Sequence, residues 1–459
     1  MYLNTPICSL YGEMKICAIF FYSFLGSLIC RLLPLKINNT LYFGTEYRII
    51  LNYLLYVNTQ HFPLGDLLMI NIYNGKIVTE NEVLTGKMLV IDGSKILEIT
   101  SENNLHNFRN CTRINADGAY IMPGLIDIHS DVIETSIVPR KGLIFDYTLA
   151  LTELDKQLMN QGITTMYHSV SIANSTICNR NRTLSVPQML EIGNVIHNTA
   201  GLLINHCFHA RLELNTPEAV ETLIDMMESG KVHELSLMDH TPGQGQYSDI
   251  NMFKKEIQKQ YGSISYEKQQ EIITSCQSKK KLSNNTISKL VQLACTKNIP
   301  IAYHDVENEA QLKWMKNNKI SICEFPLNLS IAKKAIELGM YCIVGAPNII
   351  KEKSHNNNLS AIKAIQSDAA NIVCSDYYSC GLLYSLFQLA FKHGIPLPKA
   401  VSLATLNPAK ALNISEYRGS ISAGKYADII IVKCNQNHMP ILQQVLVGGR
   451  IVSVLGYTY

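Results

Sequence analysis

Histidine and acidic residues stand at the ends of several short apolar runs in this chain of 459 residues. The run GLIDIHSD ends in His129 and Asp131, and residues two apart point to the same face of a strand. The run HCFHARLEL likewise places His209, Arg211 and Glu213 on one face. Imidazole and carboxylate groups together suit Zn²⁺, Mn²⁺ or Fe²⁺, whereas carboxylates alone would favour Mg²⁺. The pattern predicts a divalent metal site, with Zn²⁺ as the first choice.

Three later runs end in the same residue types: LSLMDH in Asp239 and His240, IAYHD in His304 and Asp305, and NIVCSD in Asp376. Taken singly, each has a simpler explanation, because a histidine beside a strand can be a core residue and an aspartate can cap the next helix. The capping alternative stays open for Asp239 and Asp305. Clusters at the ends of several different runs nevertheless favour a metal site, and Asp376 could accept a proton from water that the metal activates.

Eight strand-like runs lie between residues 124 and 375, and they alternate with longer segments, several of which have helical periodicity. This order is typical of an α/β fold, the (β/α)₈ TIM-like barrel, whose catalytic groups lie at the carboxyl ends of the strands. The polar clusters would therefore meet on one face of the barrel. The predicted strands span residues 124–130, 163–170, 202–213, 234–239, 300–304, 320–325, 341–346 and 371–375, and helical periodicity is clearest in 146–160, 214–228, 284–297 and 398–412.

Both ends of the remaining chain have the character of short strands. Residues 70–117 contain Asn74-Gly75, Asp92-Gly93 and Asp117-Gly118, which are turn and hairpin signals. Residues 420–433 and 444–455 return to strand character after the barrel, so we expect the two ends to form one small β-sandwich domain. The predicted division is an extension (1–68), the first part of the β domain (69–118), the barrel (119–412) and the second part of the β domain (413–459).

Two segments stand apart from this plan. The Lys/Asn-rich residues 251–286 are polar enough for a long surface excursion or a lid. The extension contains an uncharged run at 16–30 that is short for a membrane-spanning helix, which needs about 20 apolar residues. Three interpretations of the extension stay open: upstream sequence wrongly included in the chain, a genuine poorly ordered or membrane-apposed segment, and a cleaved signal. The pattern of a globular enzyme begins at Met69.

The amino-acid composition excludes several classes of protein. Forty basic and 37 acidic residues leave a net charge of +3, which gives neither a nucleic-acid-binding nor a membrane-surface excess of charge. An apolar fraction of 47% and a charged fraction of 17% exclude a disordered chain. The 13 cysteines include no CxxC pair, which favours a reducing cytoplasm over a disulfide scaffold. We therefore expect a cytoplasmic enzyme with a small-molecule substrate, and a homo-oligomer is compatible with the sequence.

The order of several motifs resembles a known family. The segments MPGLIDIHSD, TLNPAKAL and GSISAGKYADIIIV are similar to those of the amidohydrolase superfamily, metal-dependent barrels flanked by a small β domain. Six further segments resemble PhnM-type diphosphatases of the carbon–phosphorus lyase pathway, and the resemblance runs from about Met69 to the C-terminus. These segments are SLMDHTPGQGQY (236–247), AYHDVENE (302–309), CEFPLN (323–328), VGAPNII (344–350), SHNNN (354–358) and CSDYY (374–378).

The resemblance implies hydrolysis of α-D-ribose 1-methylphosphonate 5-triphosphate to 5-phospho-α-D-ribose 1-methylphosphonate and pyrophosphate. It also implies that Asp376 is the catalytic acid–base group. Many superfamily members carry His-x-His on the first strand, whereas this chain has His129-Ser130-Asp131, as PhnM-type sequences do. No lysine that could be carbamylated stands at the expected strand end, so Glu213 is the candidate substitute. The implied metal ligands are His129, Asp131, Glu213, His240 and His304.

A phosphorylated sugar substrate requires cations and hydrogen-bond donors. Arginine can hold a phosphate through two contacts, and the candidate cations are Arg140, Lys141 and Arg211. The stretch from Gly243 to Gln246 could offer backbone amides to phosphate oxygens or could be only a turn. The PhnM-type pattern has two glycines before the Ser-His pair, whereas this chain has Glu352-Lys353 before Ser354-His355. The resemblance therefore implies a different loop geometry at this place. The remaining candidates for substrate binding are Gln244, Gln246, Ser354, His355, Asn358 and His168, the last of which could instead complete the barrel wall.

Two other function classes stay open. Cleavage of a carbon–nitrogen bond in a cyclic amide, or deamination of a base, shares the barrel and the metal but needs no cationic pocket for a triphosphate. A non-catalytic protein that keeps the fold would be expected to lose its ligand-type residues at the strand ends, and these residues are present. The cluster of Arg140, Lys141 and Arg211 therefore favours the triphosphate substrate.

Overall fold

A computed structural model describes residues 69–108, 110–173, 184–247, 249–352 and 359–457, without the side chain of Gln246. The three interpretations of residues 1–68 lie outside the described residues, as do the predicted roles of Ser354, His355 and Asn358. No helix in the described ranges is long and apolar enough to cross a membrane.

Seven short strands open the described chain. Strands β1, β4, β5 and β6 form a four-stranded sheet in the order β5-β4-β1-β6. The β4–β5 hairpin turns at Asp92-Gly93, where Gly93 has a φ of 56°, so this predicted turn is confirmed. The strands are β1 (Ile70–Tyr73), β2 (Lys76–Val78), β3 (Val83–Leu84), β4 (Lys87–Asp92), β5 (Lys95–Ser101), β6 (Thr112–Asn115) and β7 (Tyr120–Pro123).

The next eight strands form a parallel sheet in sequence order, which confirms the predicted TIM-like barrel. The first and last strands meet through two backbone hydrogen bonds: the N–H of Asp376 donates to the His129 carbonyl, and the N–H of Asp131 donates to the Asp376 carbonyl, each over 3.0 Å. The barrel therefore closes at residues predicted to do chemistry. The strands are β8 (Leu125–Ser130), β9 (Ile163–Ile172), β10 (Asn205–Glu213), β11 (Glu234–Met238), β12 (Ile301–His304), β13 (Ile322–Glu324), β14 (Tyr341–Gly345) and β15 (Ile372–Cys374).

Helices follow the strands and cover the barrel. Three of the four segments with helical periodicity contain one α-helix each, whereas 398–412 contains two short helices. The helices are α1 (Val132–Ile137), α2 (Tyr147–Met159), α3 (Val186–Asn198), α4 (Val220–Glu228), α5 (Ile250–Tyr261), α6 (Tyr266–Gln277), α7 (Asn284–Thr296), α8 (Glu309–Asn317), α9 (Leu329–Glu337), α10 (Ala346–Lys351), α11 (Ala361–Gln366), α12 (Gly381–Phe391), α13 (Leu397–Ser402) and α14 (Leu406–Ala411), with 3₁₀ turns at Glu102–Asn107, Pro217–Ala219 and Gly245–Tyr247.

The chain then returns to the small domain in strands β16 (Ile429–Cys434), β17 (Pro440–Val447) and β18 (Arg450–Val454). These strands join β7, β2 and β3 in a six-stranded sheet, in which β16 pairs antiparallel with β7. Ile72 and Leu89 of the first sheet share a buried cluster with Ile121, Ile429 and Leu446 of the second. Both chain ends thus build the predicted β-sandwich, and β7 belongs to it by pairing although the predicted limits assign it to the barrel.

Helices α5 and α6 form a hairpin with a small core of its own. Phe253 and Ile257 of α5 pack against Ile273 of α6 in a cluster that is separate from the barrel core. Asp249 and Ser265 cap the two helices, since each side chain accepts a hydrogen bond from the first helical turn. This α5–α6 hairpin (residues 250–277) occupies most of the segment predicted to be an excursion or a lid.

Candidate active site

A cavity of about 720 Å³ opens where the barrel strands end. Its floor, as we use the term, consists of five strand-end residues: His129 near the end of β8, His240 after β11, His304 and Asp305 at the end of β12, and Asp376 after β15. All five were singled out in the sequence because they end apolar runs. The barrel brings them together because the carboxyl ends of parallel strands meet on one face.

A buried carboxylate orients His129. Its Nδ1 atom lies 2.8 Å from Oε1 of Glu324, the last residue of β13, and both side chains are nearly inaccessible to solvent. Burial alone would raise the pKa of Glu324, but the neighbouring histidines, His129 foremost, hold it well below its usual range. Because Nδ1 is engaged by a carboxylate, Nε2 is the His129 nitrogen left for the cavity.

His240 repeats this arrangement with Glu213. One Glu213 oxygen accepts a hydrogen bond from the His240 backbone N–H over 2.8 Å, and the other lies 2.8 Å from Nδ1 of the ring. The Nε2 atom of His240 lies 3.4 Å from Oδ2 of Asp305. A carboxylate therefore contacts Nδ1 of each of these two histidines, which lie at the ends of different strands. Such contacts fix the ring orientation of histidines in metal sites.

His240, His304 and Asp305 form a group suited to a cation. One ligand-type atom from each lies within 4.8 Å of the others, and all three residues have little exposure. The His304 Nδ1 and Asp305 Oδ2 atoms are 3.1 Å apart and have no hydrogen-bond partner among the described residues. Burial lowers the pKa of His240, but Glu213 and Asp305 outweigh it and raise the pKa to about 10. The carboxylates of Glu213 and Asp305 therefore favour a positive charge at this place. The imidazole and carboxylate donors of the cluster fit a divalent metal ion.

A second polar group lies deeper in the barrel. His209 is fully buried, and its Nε2 lies 2.6 Å from the Ser236 hydroxyl, which donates to Glu324 over 2.6 Å. Burial lowers the pKa of His209 to about 3, so the ring is neutral at pH 7. Although His129, His209 and Glu324 satisfy the distance requirement for a metal site, their polar atoms are already engaged with one another. The deeper group therefore fits the role of a support for His129 better than that of a ligand set.

The backbone at the floor is strained at three strand ends. Asp305, Phe325 and Asp376 have φ values of 56°, 50° and 58°, a left-handed conformation that costs side chains other than glycine on the order of 1–3 kcal/mol. All three residues line the cavity. Hydrogen bonds hold Asp376 in place, since the Ser130 hydroxyl donates to its carbonyl over 2.9 Å in addition to the closing backbone pair.

Arg211 and three lysines bring positive charge to the cavity. Arg211 donates to Oδ1 of Asp131 over 2.6 Å, and both side chains are largely buried. Lys255 and Lys259 line the cavity from helix α5, and Lys351 lines it from the end of α10, where its Nζ lies 3.1 Å from the Tyr377 hydroxyl. The cavity thus joins a group suited to a cation with four positively charged side chains suited to anions.

Part of the chain matches a known family. Residues 270–455, less than half of the chain, match the sequence profile of the Amidohydrolase family. The chain is similar to an alpha-D-ribose 1-methylphosphonate 5-triphosphate diphosphatase of Escherichia coli (strain K12), with 29% identity over 375 residues that cover 81% of this chain and 97% of the relative. The chain is accordingly a hydrolase, and the family that it matches in this region is metal-dependent.

Two further similarities are more distant. An adenine deaminase of Staphylothermus marinus is 22% identical over 417 residues, which cover 85% of this chain and 58% of the relative. The solved structure of molinate hydrolase matches with a TM-score of 0.59 at 14% identity and covers 85% of this chain and 95% of that protein. At this identity the structural match shows only that the two proteins share a fold.

Two of the predicted metal ligands have other partners in the structure. Both oxygens of Glu213 contact His240, so the geometry makes Glu213 an orienting partner and does not support direct binding of the ion. Asp131 lines the cavity but is paired with Arg211. Asp305, which the sequence left open as a helix cap, instead lies beside His240 and His304, and the cap of α8 is Asn308.

The predicted cations Arg140 and Lys141 are exposed and do not line the cavity. The loop after α1 folds back on itself, since the N–H of Phe145 donates to the Ile137 carbonyl over 2.9 Å and Arg140 forms an isolated bridge with Leu143. Both cations are therefore on the outer part of that loop. A direct contact of Arg140 or Lys141 with a substrate in this cavity is not supported.

The glycine stretch after His240 is a turn in which two of the amides already have hydrogen-bond partners. The N–H groups of Gly243 and Gln244 donate to the carbonyls of Tyr247 and Thr241 over 2.9 and 3.0 Å. The Gln244 side chain is exposed and accepts from Lys281 over 3.2 Å, outside the cavity lining. Between the two interpretations left open by the sequence, the geometry favours the turn, while the side chain of Gln246 lies outside the described residues.

His168 completes the barrel wall. Its Nε2 lies 2.7 Å from Nδ1 of His206, whose Nε2 lies 2.9 Å from Oδ1 of Asp155 on α2. The two rings stack, and His168 is fully buried and absent from the cavity lining. The strand face that carries His168 therefore points to the helix layer, which does not support a contact with substrate.

Sequence reasoning missed the roles of Glu324 and the lysines of α5, and it left Asp305 open between a ligand and a helix cap. A signal was present for Glu324, because CEFPLN places an acidic residue at the end of a predicted strand as the other clusters do. A signal was also present for Lys255 and Lys259, because residues four apart share one face of a helix. The segment 251–286 carries so many lysines, however, that spacing alone could not select the two that face the cavity.

Proposed function

We propose that this chain is an amidohydrolase that hydrolyses α-D-ribose 1-methylphosphonate 5-triphosphate to 5-phospho-α-D-ribose 1-methylphosphonate and pyrophosphate. The observation that carries the proposal is a single cavity that joins a cation-binding floor to Arg211, Lys255, Lys259 and Lys351. A triphosphate supplies the negative charges that such a set of cations would bind. The similarity to the Escherichia coli diphosphatase, which extends over nearly all of that protein, supports the same substrate.

We assign the binding of one divalent cation to His240, His304 and Asp305, with Nε2 of His129 directed to the same cavity. Zn²⁺ is the first candidate for these donors, and Mn²⁺ and Fe²⁺ also suit them. When bound, the ion would polarise a phosphoryl oxygen and lower the pKa of a water ligand. Glu324 and Glu213 keep the two imidazole rings in the orientation that binding requires.

We assign the proton transfer to Asp376. The barrel closure and the Ser130 hydroxyl fix its backbone, so its carboxylate is held beside the other floor residues before substrate arrives. In the reaction the anhydride bond between the sugar-bound phosphate and the departing pyrophosphate breaks. Water supplies the oxygen that bonds to the attacked phosphorus, the bridging oxygen stays with the other fragment, and the two protons of water are shared between the new ends or released. Asp376 would accept a proton from that water, and Arg211, held by Asp131, would offset charge on the phosphoryl oxygens.

A carbon–nitrogen hydrolase is the alternative, and the adenine deaminase similarity raises it. The floor could serve that reaction equally well. Three lysines and an arginine around the cavity would have no role with a neutral cyclic amide or base, so the cations favour the triphosphate.

The small phosphorylated sugar is the partner that we propose, and nothing in the charge balance calls for a nucleic acid or a membrane. The nine cysteines in the described ranges have free thiols, which fits the proposed cytoplasmic location. A homo-oligomer stays a prediction.

The test uses the full chain, purified and analysed for metal content, with the ribose triphosphate as substrate and phosphorus NMR to identify the products. We expect equal amounts of pyrophosphate and the phosphorylated sugar phosphonate, and loss of both when a chelator removes the metal. In parallel, ammonia release is measured with adenine as substrate. A metal-loaded protein that releases ammonia and leaves the triphosphate intact would contradict the proposal and support the alternative.

A further inference from the structure

We propose that the α5–α6 hairpin forms the binding site for the terminal phosphates, with Lys255 and Lys259 as the residues that select a polyphosphorylated substrate. The identity of the sugar and the reaction rest on the proposed function. The binding of a polyphosphate by the hairpin does not, and it can be measured separately.

Helix α5 has two different faces. Phe253 and Ile257 are four residues apart, fully buried, and form the hairpin core with Ile273. Lys255 and Lys259 have the same spacing but are displaced by two residues, which is about 200° around a helix. They therefore lie on the opposite face, where both line the cavity. The hairpin core thus directs a stripe of two lysines towards the active site.

The loop that carries His240 anchors this hairpin. The ring of Tyr247 lies between His240 and Phe253, with centroid distances of 6.2 and 4.9 Å. At the other end, the Gln277 side chain donates to the Pro242 carbonyl over 3.1 Å, and Lys281 pairs with Asp239 over 2.6 Å. Both ends of the hairpin are therefore tied to the residues around His240, which fixes the lysine stripe relative to the floor.

The charge distribution separates two ends of a bound substrate. The floor holds two carboxylates, Asp305 and Asp376, which repel phosphate unless a cation is bound. The hairpin offers two ammonium groups beside one carboxylate, Glu256, and Lys351 lines the same cavity. The Cβ atoms of residues four apart on a helix are about 5–6 Å from each other, so both lysines can reach one short polyanion. The phosphate that undergoes attack would lie at the floor, and the departing pyrophosphate would lie at the hairpin.

Lys259 already has a partner, since its Nζ lies 3.2 Å from Oε2 of Glu256. The Lys259 side chain is 74% exposed, and solvent screening makes an exposed pair of this kind contribute little to stability. A multiply charged phosphate would therefore displace Glu256 at little cost. The same hairpin contains a matched pair outside the cavity lining, Lys268 and Glu271 at 2.8 Å, which serves as the control.

The experiment compares the full chain with the double variant Lys255→Gln/Lys259→Gln and the control Lys268→Gln. Calorimetric titration with inorganic pyrophosphate measures affinity, metal content is determined before and after, and the KM and kcat for the triphosphate follow. We expect the double variant to bind pyrophosphate at least tenfold more weakly and to show a KM raised more than kcat is lowered, because the lysines bind ground state and transition state alike. Lys268→Gln should match the unmodified chain in both assays.

The outcomes separate the two proposals. Pyrophosphate affinity and KM that are unchanged in the double variant would overturn the role of the hairpin, while triphosphate turnover by the same proteins would leave the proposed function standing. A loss of affinity confined to the double variant would support the hairpin site even if the unmodified chain failed to hydrolyse the triphosphate, a failure that would overturn the proposed function alone. An equal loss in Lys268→Gln would also contradict the proposal, since it would indicate an effect of overall charge.

Discussion

The floor of the cavity and the α5–α6 hairpin are built in opposite ways. Floor residues come from strands far apart in the chain, as in the His129–Glu324 pair, which joins residues 195 positions apart. They are buried or half-buried, and hydrogen bonds hold His129, His240 and the backbone of Asp376. The hairpin lysines come from a single helix with a local core and are exposed to solvent. The contrast indicates that the barrel fixes the geometry for the chemistry, whereas the hairpin positions charge on solvent-exposed side chains.

The largest effect is expected from Asp376, the floor residue proposed to accept a proton. Asp376→Asn removes that capacity and should lower kcat by about 10²-fold or more, with little change in KM. Steady-state kinetics with the triphosphate measures both constants, and an unchanged metal content shows that the floor is intact. A variant that keeps near-full activity would show that Asp376 is not the proton acceptor.

The second-largest effect is expected from Glu213 and Glu324, the carboxylates that contact Nδ1 of the floor histidines. Glu213→Gln should weaken metal affinity by roughly 10–100-fold, because it removes the charge that orients and polarises His240. Competition with a chelator measures the affinity, and Glu324→Gln should behave similarly through His129. Glu271→Gln changes an acidic residue of the hairpin outside the cavity lining and serves as the control. Equal metal affinity in Glu213→Gln and Glu271→Gln would remove the distinction between floor and hairpin.

Two buried phenylalanines test whether the hairpin is a separate structural unit. Phe208→Ala creates a cavity in the barrel core and should destabilise the whole protein by about 3–5 kcal/mol. Phe253→Ala removes the equally buried centre of the hairpin core, so it should raise KM several-fold and increase hydrogen exchange only in residues 250–277. Melting temperature and native-state hydrogen exchange provide the readouts. A loss of global stability as large as that of Phe208→Ala would contradict a separate core.

The smallest effect is expected from Arg140. Its side chain is exposed on the loop after α1 and does not line the cavity, so Arg140→Ala should change KM by less than about twofold. The sequence alone would predict a clear increase in KM for this variant. A rise in KM comparable to that of the double lysine variant would show that the loop reaches the substrate.

The fold was largely predictable from the sequence because its signals are local. Each of the eight barrel strands is a short apolar run, and His129, His240, His304 and Asp376 could be placed on one face because each lies at the end of such a run. The pairing of both chain ends in a β-sandwich followed from strand patterns before and after the barrel. Neither inference required knowledge of how side chains contact each other across the molecule.

The supporting contacts of the site were not predictable in the same way. Glu324 pairs with His129, and Asp305 lies beside His240 and His304 and does not cap a helix. Both arrangements depend on how the strand ends face each other across the barrel. The outward fold of the loop containing Arg140 depends on a hydrogen bond between Phe145 and Ile137. Among the many lysines between 251 and 286, only the packing of Phe253 and Ile257 decides which ones face the cavity.

Phosphorus NMR of the metal-loaded full chain with the ribose triphosphate tests the central claim most directly. The account predicts that the triphosphate signals are replaced by those of pyrophosphate and the sugar monophosphate in a one-to-one ratio, and that a chelator stops the change. Triphosphate that stays intact in the presence of bound metal, or that loses a single inorganic phosphate, would contradict it.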